Sequence, residues 1–455
     1  MKLDARRTML VGLAFLSICA FWQMYDFVIP LILKNTFLLG DDVTNNVMLI
    51  DNVLALFMLP FFGQLSDRSH SRIGRRVPYI LGGTAAAVAV MCALPFVNRA
   101  GERLLEGVFS GEIARAAFDA QLGRLLTVFL VLLGLVLIAM GVYRAPSVAL
   151  MPDITPKPLR SRANAIINLM GSVGGIITLV SISLFVKTRT LDVAPQFVFD
   201  GIEKLEITNF LPIFYIVAGV MVVSVLALLF TIRENKMRLP EDADAKEGAG
   251  GKLPAPMKRS LIFILASVFF WFMGYNAVTT AYSRYFVRVW GDISGAAMCL
   301  MIATAGATVA YIPIGYLSAK FGRKKIILAG VLLLAACFGA TAFVKSFSYV
   351  IYVLFVLVGF SWAAINVNSY PMVVEISRAG NIGKYTGYYY TFSMAAQVAT
   401  PFVSGQLLER VGYSTLFPYA AIMVLISFVT MLFVHHGDSR PKKAEALVDS
   451  FAEEE

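Results

Sequence analysis

Two stretches decide the fold: Gly63-Gln64-Leu65-Ser66-Asp67-Arg68, running on to Gly74-Arg75-Arg76, and Gly315-Tyr316-Leu317-Ser318-Ala319-Lys320, running on to Gly322-Arg323-Lys324-Lys325. Their leading glycines lie 252 positions apart in a chain of 455 residues, so the motif marks two halves. A weaker echo supports this. Trp22, Tyr25 and Asp26 near the start correspond to Trp271, Tyr275 and Asn276 in the second half. Internal repeats of this size are how many membrane carriers are built, with the binding site at the interface between repeats.

The surrounding composition fits that reading. Hydrophobic residues make up 58% of the chain and charged residues 15%, with a mean hydropathy of +0.73. Soluble domains run near 45–50% and about 25%. A soluble enzyme, a disordered chain and a nucleic-acid reader are therefore excluded. A bilayer core of about 30 Å needs about 20 apolar residues per helix. Runs of that length predict twelve spans, near 8–34, 44–64, 77–97, 123–150, 164–186, 209–231, 259–287, 294–318, 326–344, 348–372, 385–407 and 415–436. The first is too long for a signal-peptide core and is read as a retained helix. Cys19, Cys92, Cys299 and Cys337 each lie in an apolar run without metal spacing, so neither disulfides nor a metal site is expected.

Most of the 39 Lys and Arg fall on one side of these spans, which places both termini in the cytoplasm. The net charge of +10 follows from that topology and calls for no polyanion partner. The expected organisation is a six-helix bundle over 1–231, a cytoplasmic linker over 232–258 with Pro, Gly and acidic runs, a second bundle over 259–436, and a charged tail over 437–455. An amphipathic surface helix is expected in the outer loop 98–122. The fold class is thus all-α membrane, in two pseudo-symmetric halves.

The Gly-x-x-x-Asp-Arg…Gly-Arg-Arg pattern after spans two and eight resembles the loop signature of the major facilitator superfamily, over nearly the whole chain. The spacer Ser69-His70-Ser71-Arg72-Ile73 before Gly74, and Pro146-Ser147 through Met151-Pro152-Asp153 in span four, resemble the glycoside–pentoside–hexuronide:cation symporters and the sucrose/proton symporters. That resemblance implies twelve helices and cation-coupled uptake of a glycoside by alternating access. The carboxylates of those branches are absent here. The corresponding positions are Ala55 and Leu59 in span two, and Leu137 in span four.

Coupling then falls to the charges left inside the spans, Asp26, Asp51 and Arg144. Each costs about 2.5–3.5 kcal/mol on insertion scales, so each needs a reason to be there. Both aspartates fall in the outer halves of their helices and could face one cavity as proton carriers; Asp51 could instead end a helix at the headgroup level. Arg144 could bind substrate, serve as a counter-charge, or snorkel inward. Helix rise separates Arg144 from Asp26 by about 15–20 Å along the membrane normal, which argues against a direct pair. The three histidines, His70, His435 and His436, lie at the surface and cannot carry protons mid-membrane.

Sugars are held by aromatic faces with amides and hydroxyls. The candidates are Trp22, Gln23, Tyr25, Asn168, Trp271, Tyr275, Asn276, Trp362, Asn366, Asn368, Tyr370, Tyr389 and Gln397. Asn366 and Tyr370 share a helical face that Asn368 does not, so only one set can face a cavity. The expected cytoplasmic gate is Gly63, Asp67, Arg68, Arg75, Arg76, Asp153, Arg162, Gly315, Arg323 and Glu375, with an Asp67–Arg68 latch. It should be weaker in the second half, where Ala319 replaces the acid. No phosphate loop, metal cluster or catalytic triad is present, so no enzyme, cofactor or ATP-driven pump is expected. The function read from the sequence is proton-coupled uptake of a disaccharide or glucoside by a monomer in a bacterial inner membrane. The alternatives are a carrier of lipids or amphipathic drugs, and a non-transporting sugar sensor or membrane assembly factor.

Overall fold

The computed structural model describes residues 3–109, 115–192, 204–237, 253–290, 294–377 and 381–438. The first half contains α1 (Ala5–Asn35), α2 (Asp41–Arg68), α3 (Val77–Met91), α4 (Leu94–Phe109), α5 (Arg115–Ile154), α6 (Arg160–Phe185) and α7 (Leu211–Thr231), followed by the one-turn α8 (Glu234–Met237). The second contains α9 (Ala255–Tyr285), α10 (Ser294–Phe321), α11 (Arg323–Ala342), α12 (Val350–Ile376), α13 (Ile382–Arg410) and α14 (Leu416–Leu432). The middle of the expected linker and nearly all of the tail lie outside the described residues.

Eleven helical segments among the described residues are long and apolar enough to cross a membrane, α3 and α4 counting as one. The twelfth crossing is α13, which that criterion misses. It carries Lys384, Thr386, three consecutive tyrosines from Tyr388, and Gln397, and both α2 and α9 pack along it. Twelve crossings result, in two bundles with the same internal packing. In the first, α1 packs on α6 and α7, and α3 on α5 and α7; in the second, α9 packs on α13 and α14, and α11 on α12 and α14. The bundles meet chiefly along α2 with α13 and along α6 with α10.

Two features depart from the expected spans. The third crossing breaks at Cys92 and Ala93, so the amphipathic helix begins at Leu94 rather than in the loop beyond 98. With 40 residues, α5 is also about 60 Å long, twice the hydrocarbon thickness. Its first turns and α4 therefore stand beyond the membrane, at the end away from the basic loops. There Leu105, Val108 and Phe118 bury Ile207 of an antiparallel hairpin, β1 (Lys187–Asp192) with β2 (Lys204–Asn209). This hairpin is the one departure from helix-only structure among the described residues.

Close packing inside the bundles uses small residues, which let helix backbones touch. A Cβ on Gly174 of α6 would lie 2.2 Å from the Leu16 carbonyl oxygen of α1. Gly82 of α3, by contrast, has nothing within 4 Å. Gly174→Ala should cost about 1–3 kcal/mol through overpacking and lower the unfolding temperature in detergent. Gly82→Ala should not, and equal melting of the two variants would refute the assignment of that seam.

Candidate functional site

At the end of the bundles that carries the basic loops, the first-half motif builds a closed charge network. The Arg76 guanidinium is fully buried. It donates to Asp153 Oδ2 at 2.9 Å, to Asp67 Oδ1 at 2.5 Å and to Ser66 Oγ at 2.5 Å. Arg75 grips the same Asp153 with two nitrogens, at 2.5 and 3.1 Å. A buried ion of this kind persists only when every partner is present. Asp67 then crosses to the other bundle. Its two oxygens accept the N–H groups of Gly383 and Lys384, at 2.9 and 2.8 Å. These are orphan donors of the first turn of α13, so the carboxylate caps that helix and meets the positive end of its dipole.

The glycines allow this approach. A Cβ on Gly63 would fall 2.1 Å from the Gly383 carbonyl oxygen, and one on Gly387 would fall 2.2 Å from Pro60 Cα. Arg68 takes no part. It is exposed, and Asp67 pairs with Arg76 instead, which corrects the expected Asp67–Arg68 latch. Arg68 is the last residue of α2 and points to solvent, whereas Arg76 enters the seam from the start of α3.

The second-half copy reaches a similar seal by another route. Arg323 holds Glu375 and the Lys157 carbonyl oxygen, and donates to Ser161 Oγ at 2.8 Å. With Ala319 in the acid's place, the arginine itself spans to the start of α6. Gly315 again lies against the opposite helix, 2.9 Å from Ala165 Cβ for an added Cβ. The Arg162 guanidinium stacks over Tyr316 at 4.7 Å.

Two further acids complete the network, and sequence reading missed both. Buried Glu234, just past the sixth crossing, accepts the N–H groups of Arg75, Arg76 and Val77 at 3.0, 3.0 and 3.2 Å. Burial pushes its carboxyl above the usual range, and nearby Asp153 adds to this. Asp438, just past the last crossing, accepts the Arg323 N–H at 2.5 Å. Their shared placement after the last helix of each half was the available signal.

Every hydrogen bond between the bundles among the described residues lies between mid-helix and this basic end. Away from the charge networks, they join Asn164 to the carbonyls of Asn366 and Val367, Tyr370 to Val148, Thr391 to Leu56, and Thr308 to Ser172. The structure is therefore sealed at the basic end.

Mid-membrane, the intramembrane charges come together. Arg144 of α5 lies with its guanidinium carbon 5.2 Å from the Trp22 ring of α1 and 4.8 Å from the Tyr390 ring of α13. Asp51 lines one small cavity with Trp22 and Arg144, and neither Asp51 nor Asp26 forms an ion pair with Arg144 within 4.0 Å. The direct Asp26–Arg144 pair that helix rise argued against is absent among the described residues. Helical side chains lean toward the N-terminus of their own helix. Because α1 and α5 run antiparallel, the two side chains lean toward each other. Asp26 is exposed and Asp51 half-buried. Four polar atoms in this cluster are buried without a partner: Trp22 Nε1, Tyr25 Oη, Asp51 Oδ1 and Arg144 Nε. Such groups are costly unless something satisfies them.

The remaining sequence candidates divide into two sets. Trp22, Gln23, Asn168, Tyr275, Asn276, Trp362, Asn366 and Gln397 are half-buried on inner helices. Tyr275 and Trp362 form an aromatic plate, stacked at 3.6 Å with 4° between planes. Asn276 Nδ2 is buried and unpartnered. Gln23 turns toward Gly175 of α6, and Asn168 donates to Asn164 O. The other set is sealed. Tyr25 and Trp271 are packed in the core. Asn368 is fully buried and donates to Ala364 O. Tyr370 bonds Thr386 as well as Val148, and Tyr389 bonds Ser369 at 3.0 Å. These five line no open surface in this conformation. Of the tyrosine triplet, Tyr390 faces Arg144, and the sequence reading did not select it. Consecutive helical residues point about 100° apart, so register alone could not choose among the three.

Comparison with known proteins agrees with this architecture. The Major Facilitator Superfamily model matches residues 11–291 and 264–452. The MFS-type transporter ppzB of Metarhizium rileyi (strain RCEF 4871) is 27% identical over 131 residues, which are 29% of this chain and 27% of that protein. Its counterpart in Metarhizium majus (strain ARSEF 297) is 28% identical over 123 residues, 27% of each chain. The match thus spans only about a quarter of these relatives. Among solved structures, the transporter FucP in its outward conformation superposes with a TM-score of 0.68 at 13% identity, covering 95% of this chain and 99% of that one. A bacterial homologue of the iron transporter ferroportin, in an outward-facing state with soaked iron, gives 0.66 at 15% identity, covering 95% and 99%. With the family model over nearly the whole length and the fold to match, the chain belongs to the major facilitator superfamily and is a multi-pass membrane protein.

Proposed function

We propose that the protein imports a disaccharide or related glucoside together with a proton, by alternating access across a bacterial inner membrane, as a monomer with both termini in the cytoplasm. The observation that carries this reading is the mid-membrane cluster. Two carboxylates and one arginine share a site with no ion pair among them, beside aromatic faces and unsatisfied donors. Fixed structural charges would be paired; charges that must change partner during a cycle need not be.

The basic end faces the cytoplasm on this reading, so the sealed conformation opens outward. Asp26, exposed, takes the proton from that side. Protonation of Asp26 or Asp51 removes an attraction on Arg144. The guanidinium then turns to substrate hydroxyls, while Trp22 and the Tyr275–Trp362 plate present apolar ring faces to the sugar. An E. coli homologue of the fold, FucP, is described as a fucose:proton symporter, which agrees with sugar–proton chemistry on this scaffold. An occupied site lets the bundles rock. Inward opening requires Asp67 to leave the α13 N-terminus and Arg323 to leave Ser161 and the Lys157 carbonyl. The boundaries proposed from the sequence, with a linker over 232–258, leave the bundles free to make that movement.

The coupling test uses tight vesicles and a panel of glycosides. Wild-type protein should alkalinise the outer medium when substrate is added, and Asp26→Asn should abolish the signal while substrate binding remains. Silence with every glycoside, in vesicles that hold an imposed proton gradient, overturns the substrate and coupling together.

The gate has its own test. A helix cap contributes about 1–2 kcal/mol, so Asp67→Ala should shift the closed–open balance at the basic end about 5- to 30-fold toward open. Spin labels at exposed Arg72 and Lys325 should report a larger long-distance population. An unchanged distance distribution removes Asp67 from the gate.

A further inference from the structure

A cleft of about 260 Å³ opens beside the α6–α10 seam at the basic end. Its walls are apolar, from Leu3 ahead of α1, Ala165 and Ile166 of α6, and Ile312 of α10. Its polar edge is Arg162 with Tyr316. Gly315 brings the two helices together at this level, 3.4 Å from the Arg162 Cα for an added Cβ. The arginine side chain is thereby forced sideways out of the seam and onto the Tyr316 ring. Tyr316 is 59% exposed on the flank of α10.

The guanidinium there is incomplete. Arg162 Nε is buried without a hydrogen-bond partner. Arg162 also has no salt bridge among the described residues. Arg75, Arg76 and Arg323 at the same end each hold a carboxylate, and Arg160 holds the Thr155 and Pro152 carbonyls. A cationic fork with a buried, unmet donor calls for an anion with several oxygens. Position narrows the choice. Arg162 is in the first turn of α6, at the basic end, and Leu3, Ile166 and Ile312 give the cleft an aliphatic side. Basic pockets between helices at this depth suit anionic lipid headgroups.

We propose that this cleft binds the phosphate of an anionic phospholipid through Arg162, with an acyl chain along Ile166 and Ile312, and that the lipid braces the two bundles at their closed end. The lipid supplies across the second seam the anion that Ala319 does not. The site is separate from the mid-membrane cluster and does not depend on which substrate is carried; the choice of cytoplasmic leaflet rests on the orientation proposed above.

The test titrates the full chain in detergent with phosphatidylglycerol and with phosphatidylcholine of the same acyl chains, reading bound lipid by native mass spectrometry and stability by thermal unfolding. Wild type should bind phosphatidylglycerol more tightly and melt higher with it. Arg162→Gln should weaken that binding about fivefold, the factor one basic residue contributes near an anionic lipid surface. Arg72→Gln, an exposed arginine at the same end, should leave it intact. Should Arg162→Gln not fold, Tyr316→Leu removes the ring that holds the guanidinium and should weaken the same lipid. Equal binding of the two lipids overturns the proposal, as does equal loss in Arg72→Gln, which would mean diffuse surface charge. Competition by soluble glycerol 3-phosphate at the lipid's own concentration also overturns it, in favour of a free-anion site.

Discussion

Asp67 serves two charges that lie in different halves of the molecule. One is the buried Arg76 guanidinium, which shares Asp67 and Asp153. The other is the N-terminus of α13, whose first free N–H groups end on the Asp67 oxygens. Neither could be left unmet in a low-dielectric seam. One carboxylate therefore ties a buried ion pair of the first bundle to a helix end of the second. The glycine contacts of α2 with α13 follow from it, since the cap reaches its target only when the two backbones touch.

The two seams reach closure by unequal chemistry. In the first, an acid of one bundle caps a helix of the other. In the second, Ala319 leaves Arg323 to bind hydroxyl and carbonyl oxygens directly. Pseudo-symmetry is thus kept in the backbone and relaxed in the side chains. The acids that end each half restore part of it, with Glu234 capping α3 and Asp438 meeting the start of α11. On the proposed cycle this inequality means that the two seams need not open with equal cost.

The mid-membrane cluster depends on a more local rule. Arg144 and Asp26 are far apart by helix rise, but their helices run in opposite directions. Side chains that lean toward their own N-termini then converge. The same rule carries Arg144 to Trp22 in its own bundle, and α13 of the other bundle supplies Tyr390. The cluster therefore straddles the two halves at mid-membrane.

The twelve crossings, the two halves and the involvement of Asp153, Glu375 and Arg323 in ion pairs at the basic end could be read directly from the sequence. Apolar length, repeat spacing and the cost of charge in a bilayer leave little freedom there. Even α13, with its Lys384, three tyrosines and Gln397, was legible as a run over 385–407. What remained hidden were choices among neighbours. Arg76 rather than Arg68 takes Asp67, Tyr390 rather than Tyr389 faces Arg144, and Trp271 packs into the core although its counterpart Trp22 does not. Each turns on helix rotation of about 100° per residue, or on which loop residue enters a seam. Rotation is set by packing against the neighbouring helices, so it exists only once they have assembled. Apolar length, repeat spacing and charge placement already specify a two-bundle membrane protein with charges at its centre and its basic end. The tertiary structure alone decided which of those charges meet, because partners from α2, α3, α5 and α13 become neighbours only when the bundles close.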